Sequence, residues 1–129
     1  MKTNMVSWFE IPVLDMDRAK QFYETVFNVK ISIHNMGEVV MGWFPPSEEN
    51  DAPGISGTLI SYKDSYVPSK TDGVLIYFNS QSGDLSDELS RIEDAGGTII
   101  KPKTLIAEEI GYMALFVDTE GNRIALYNK

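Results

Sequence analysis

Residues 8–27 read WFEIPVLDMDRAKQFYETVF, and the way this stretch divides decides the fold. Its first part, WFEIPV, is a short apolar run with the length of a strand. Asp15 or Asp17 then supplies a carboxylate that can accept a backbone N–H at the start of a helix. In the helix that follows, Ala19, Phe22, Tyr23, Val26 and Phe27 fall at i, i+3, i+4, i+7 and i+8, on one face, with Arg18, Lys20, Gln21 and Glu24 outside. Such a face packs on a sheet. Asn28 tolerates the left-handed backbone that ends helices, and three candidate strands come next: VKISIH (29–34), EVVMGWF (38–44) and GTLISY (57–62). The order is βαβββ.

The second half repeats it. GVLIYF (73–78) predicts a strand and DLSDELSRIEDA (84–95) a helix that turns Leu85, Leu89 and Ile92 inward, stopped by Gly96-Gly97. GTIIK (97–101), GYMALFV (111–117) and NRIALY (122–127) are strands, the last two joined by DTEG, where Gly121 can take a positive φ. The fold class is therefore α+β, with one domain spanning 1–129 and two tandem modules, 5–63 and 72–129. Polar KDSYVPSKTD (63–72) joins the modules, and PPSEENDAPG (45–54) is a surface loop inside the first.

Composition narrows the function. With 43% hydrophobic and 23% charged residues, the 129-residue chain is ordinary globular material that needs no metal or disulfide to hold a core. No apolar run approaches the roughly 20 residues that span a bilayer, MKTNMVSWFEIPV (1–13) lacks the long apolar core of a secretory signal, and cysteine is absent, so cytoplasm is the expected location. A net charge of −8 argues against nucleic acid and anionic membranes as partners and favours a cationic or neutral small molecule.

The strand-cap-helix of residues 8–27, the duplicated module and the terminal hairpin DTEGNRIALY resemble the vicinal oxygen chelate superfamily of glyoxalases, bleomycin-resistance proteins, fosfomycin-modifying enzymes and extradiol dioxygenases. The resemblance covers nearly the whole chain and is carried by Asp17-Arg18-Ala19 leading to Phe22-Tyr23, and by Asp118 followed by Gly121-Asn122. It implies curled mixed sheets that form a cup, and in the family's enzymes a divalent metal held there by His, Glu or Gln in the first strand of each module and Glu in the last. Carried onto this chain, those positions fall on Trp8, Val74 and Ala125, with Leu59 or a neighbour in the closing strand of the first module; none can bind a metal. Glu10 alone lies near one of them. No cofactor is expected, a divalent metal being possible only with ligands other than these, and small two-module relatives imply a homodimer.

Glu10 shares a strand face with Trp8, and a carboxylate there can act as a general base or as a ligand anchor; the bland alternative is an ion pair at a sheet edge or interface. Trp8, Trp43, Tyr62, Tyr77, Tyr112 and Tyr127 are the candidate ligand-binding aromatics, about half of them expected in the cup and the rest in the core. His34, the single histidine, is expected in a solvated turn, and without cysteine there is no thiol nucleophile. Glu48, Glu49 and Asp51 lack calcium-loop spacing and, with Glu108 and Glu109, are expected on the surface. The favoured function is metal-free binding of a small aromatic or cationic molecule in an aromatic-lined cup. The alternatives are a lyase, isomerase or dioxygenase of the glyoxalase kind, with a metal held elsewhere or with Glu10 and a tyrosine as acid–base pair, and a regulatory or interaction module with a vestigial cup.

Overall fold

The computed structural model describes residues 2–49, 51–62 and 64–129; Asn50 of the surface loop and Lys63, first in the connector, lie outside the described residues. Two βαβββ units follow one another. The first holds β1 (Phe9–Pro12), α1 (Met16–Phe27), β2 (Ser32–Met36), β3 (Val39–Trp43) and β4 (Gly57–Ser61). The second holds β5 (Ile76–Asn79), α2 (Leu85–Ile92), β6 (Thr98–Ala107), β7 (Gly111–Val117) and β8 (Arg123–Asn128). Each unit makes its own sheet, ordered β1-β4-β3-β2 and β5-β8-β7-β6. The first and last strands of a unit pair in parallel and the others antiparallel, so both sheets are mixed, and neither closes into a barrel.

The helices form where the sequence pattern puts them. Of the two candidate caps, Asp15 is the one used: its side chain accepts the Arg18 amide at 3.1 Å, while Asp17 sits in the first turn. Asn28 ends α1 with φ 55 and ψ 51. The five periodic residues Ala19, Phe22, Tyr23, Val26 and Phe27 are all buried. Helix α1 lies close on β3 because Gly42 has no side chain; a Cβ there would sit 3.0 Å from both Ile31 Cγ2 and Met16 Sδ. On β5, Phe78 reaches into the same core, its ring 4.8 Å from that of Phe27 and 5.7 Å edge-on from that of Phe9. Aromatic packing thus joins the units.

Several strand limits differ from expectation, each for a local reason. Strand β2 starts at Ser32 because residues 29–31 serve as connection, with the Ile31 amide donating to the Glu24 carboxylate at 2.8 Å. It then runs past His34 to Met36, so His34 is a strand residue and the turn falls at Gly37 (φ +88). Strand β5 begins only at Ile76, where β8 offers Ile124 as a partner. Strand β6 extends through Pro102 to Ala107, which its edge position and its register shifts allow. Helix α2 stops at Ile92; Leu85 and Ile92 are buried, Leu89 is partly so, and Glu88 is buried too, bonded to Ser80 Oγ at 2.8 Å.

The turn between β7 and β8 grips the start of α1. Glu120 Oε1 accepts the amides of Leu14 and Asp15, both at 2.8 Å, and the Arg18 guanidinium closes on the same carboxylate at 2.8 and 2.9 Å. Asp118 accepts the amides of Glu120 and Asn122 on one oxygen, and on the other the hydroxyl of fully buried Tyr23 at 2.6 Å and the amide nitrogen of Asn122. Asn122 also donates to the Pro12 carbonyl at 2.7 Å. Gly121 (φ +94) lets the turn close. This network uses Arg18, Tyr23, Asp118, Gly121 and Asn122, and it draws the start of β8 against the end of β1.

Candidate binding cleft

Alternation gives each sheet a helix-facing side and an open side. In the first sheet Ile11, Leu59, Gly42 and Ile33 are in register on the helix side, so the rows Glu10–Thr58–Trp43–Ser32 and Pro12–Ile60–Met41–His34 face the open side. Trp8, two residues before Glu10, joins them. The Trp43 ring is central: His34 stacks on it at 3.7 Å, tilted by 26°, and Trp8 meets it edge-on at 6.1 Å. Trp8 and Trp43 stay 41% and 37% exposed, so neither is a core plug.

Glu10 stands beside them, and the connector supplies its partner. Just past β4, the Tyr62 carbonyl accepts the amides of Ser65 and Tyr66, a turn that brings the Tyr66 hydroxyl to Glu10 Oε1 at 2.5 Å. The hydrogen bond to this carboxylate, assisted by burial and by its charge, raises the Tyr66 pKa. Tyr62 continues the parity of Ile60 toward the open side.

In the second sheet the row Tyr77–Ala125–Leu115–Lys101 faces the open side, since its neighbours Phe78 and Leu126 point into the core. Tyr77 is exposed there, Ala125 is fully buried, and Tyr127 donates its hydroxyl to the Ile110 carbonyl. Tyr112 is on the other side. It pairs with Asn128, whose side chain accepts the Leu85 amide at the start of α2, and Lys103 sits over its ring at 4.7 Å. Tyr112 therefore does not join the cup: residues 112, 114 and 116 share one strand face, and Ala114 and Phe116 on that face are core.

Internal correspondence also corrects the register of the implied metal positions. Phe9 and Ile76 open their strands on the helix side, so alternation makes Leu75, rather than Val74, the counterpart of Trp8; Val74 is 86% exposed. Likewise Glu10 pairs with Thr58 as Tyr77 pairs with Ala125, so of Leu59 and its neighbours Thr58 is the counterpart of Ala125. Trp8, Thr58, Leu75 and Ala125 do not make a donor set for a divalent cation. Among the described residues, no three His, Cys, Asp or Glu side chains converge as metal ligands would.

Where the edge strands β1 and β5 approach there is a cleft of about 220 Å³, with Glu10, Pro12 and Val67 along one side and Ile76, Asn122 and Arg123 along the other. A depression of similar volume between α1 and the end of α2, lined by Arg18, Gln21, Thr25 and Asp94, lies on the helical side of the molecule. Sequence reasoning missed Tyr66, His34 and Arg123. Tyr66 sits in an aperiodic connector and gave no signal, whereas Arg123 could have been found, because it shares the period-two face of Ala125 and Tyr127.

The fold built on these elements is the glyoxalase/bleomycin-resistance fold. A glyoxalase/bleomycin resistance protein from Albidiferax ferrireducens superposes with a TM-score of 0.73 at 18% identity, over 98% of this chain and 100% of that one. The antibiotic-binding protein TnmS3 from a Streptomyces species gives 0.68 at 22% identity, covering 99% and 98%. Glyoxalase I from Zea mays gives 0.72 at 17% identity over 94% of this chain but 44% of its own, so this chain spans about half the length of the maize enzyme. No curated protein matches it in sequence. More particularly, residues 6–41 match the bleomycin resistance protein-like N-terminal family, and match and fold together agree with the vicinal oxygen chelate superfamily.

Proposed function

We propose that this protein binds a small aromatic or cationic molecule against the open face of its first sheet, without a metal. The observation that carries this is the group of Trp8, Trp43 and His34 beside Glu10: large aromatic surfaces left partly in water next to a carboxylate held by Tyr66. Exposed aromatics of this kind offer stacking area, and the carboxylate adds a charge-assisted hydrogen bond for a cation. The antibiotic-binding protein TnmS3 has the same fold, so the fold is compatible with binding of a small molecule. Tyr62, Tyr77 and Tyr127 extend the aromatic surface. The protein works in the cytoplasm as a homodimer, a state supported by the mostly exposed β2 and β6, which form the outer edges of the two sheets and carry Ile33, Met36, Ile100, Leu105 and Ile106.

Tryptophan fluorescence titrated with a panel of aromatic cations tests the proposal. Quenching is expected in wild type, loss of stacking in Trp43→Leu, and in Glu10→Gln a weakening of roughly 1.5–3 kcal/mol for a direct contact. Equal affinities in wild type and Glu10→Gln would remove Glu10 from the site, and no quenching by any member of the panel would remove the site.

A further inference from the structure

Arg123 is a cation without an acceptor among the described residues. Its Nε is fully buried and has no hydrogen-bond partner among the described residues. It takes part in none of the ion pairs found there. The other two arginines are engaged, Arg18 with Glu120 and Arg91 with the Val26 carbonyl at 2.9 Å. The position is fixed by its neighbours, since Asn122 is tied to Asp118 and Pro12 and Ile124 is buried in the core. Arg123 lines the cleft between the sheets, and Glu10 lines it too without pairing to it. A guanidinium that lines a cleft and has an N–H without a partner among the described residues is an unmet demand for an oxyanion.

From this we infer that the cleft recognises a small organic monocarboxylate through Arg123, with the body of the ligand lying across the cleft toward Glu10. The inference rests on the binding function proposed above and extends it: the ligand carries an acidic group, and Glu10 is free to take a donor on the same molecule. The planar guanidinium suits the two oxygens of a carboxylate. A phosphate offers the same oxygens, but the Glu10 carboxylate on the facing side disfavours a dianion, as does the net charge of −8. The volume of about 220 Å³ corresponds to about seven waters at roughly 30 Å³ each, enough for a carboxylate and a short stem.

Calorimetric titration with phenylacetate, phenethylamine and inorganic phosphate tests this in wild type, Arg123→Gln, Arg123→Lys and Glu10→Gln. Wild type should bind phenylacetate more tightly than phosphate. Arg123→Gln should lose phenylacetate affinity by roughly tenfold to a hundredfold, the range for hydrogen bonds to a charged group, and Arg123→Lys should fall between. Glu10→Gln should act with opposite signs, strengthening phenylacetate by removing a like charge and weakening phenethylamine. Phenethylamine binding without phenylacetate binding, or phenylacetate bound equally by wild type and Arg123→Gln, overturns the role of Arg123 and leaves the proposed function standing. Phosphate bound more tightly than phenylacetate overturns the carboxylate assignment, and binding of neither aromatic probe overturns both proposals.

Discussion

A buried donor without an acceptor is a net loss to the folded state, and at Arg123 the loss is concentrated in one side chain. Replacing it by Met keeps much of the aliphatic stem and removes the unmet donor, so Arg123→Met is expected to stabilise the protein by about 1 kcal/mol, read as a rise in Tm. A fall in Tm would make Arg123 a packing residue instead. Trp8 is the contrasting case. A fully packed tryptophan costs about 3–5 kcal/mol when cut to alanine, but this one is 41% exposed and touches Trp43 edge-on, so Trp8→Ala should cost about 1 kcal/mol in a denaturant titration. Alternation alone was enough to put Trp8 and Glu10 on one face. It could not reveal that Arg123 Nε lacks a partner among the described residues, or that a turn after β4 returns Tyr66 to Glu10, because both facts are tertiary. Tyr112 went astray for a simpler reason: its alternation with Ala114 and Phe116 already assigned it to their face.

Among the elements, the hairpin turn from Asp118 to Asn122 has the most to lose. Glu120 is buried against an opposing desolvation, yet the bonds from Arg18, from the Asp15 and Leu14 amides and from Thr119 prevail and lower its pKa below the ordinary glutamate value. A lowered folded pKa means that its stabilisation is complete above the unfolded value of about 4.3 and disappears as pH falls through the folded one. Glu120→Gln should therefore cost about 2–4 kcal/mol at neutral pH and flatten the acid limb of a Tm–pH profile below about pH 4. An acid limb identical to that of wild type would mean that other carboxylates govern acid unfolding. Both helices were legible because their 3.6-residue pattern is long and their caps are explicit. Strand ends were not, since they depend on where a partner strand begins, as at Ile76, or on an edge position that tolerates Pro102.

For the whole molecule, light scattering at micromolar concentration should give twice the chain mass of 14.5 kDa; a monomer would leave the exposed residues of β2 and β6 without a partner. Nickel, zinc, iron or manganese should leave the Tm unchanged, because a bound ion would raise it by mass action; a clear shift would require a metal site built from other residues. The duplicated architecture was readable from the order of apolar runs, whereas the approach of β1 to β5, which makes the cleft, was not, because it is set by contacts between distant segments. The grip of Glu120 on Leu14 and Asp15 spans 106 and 105 residues of sequence. During synthesis those two amides, at the entrance to α1, wait for all the intervening residues to be made before their acceptor exists. Long-range closure of this kind slows folding and leaves early segments open to wrong partners. A nascent chain ending before Asp118 should thus be the species that chaperones hold, and emergence of the hairpin that carries Glu120 the event that commits the two units to their native state.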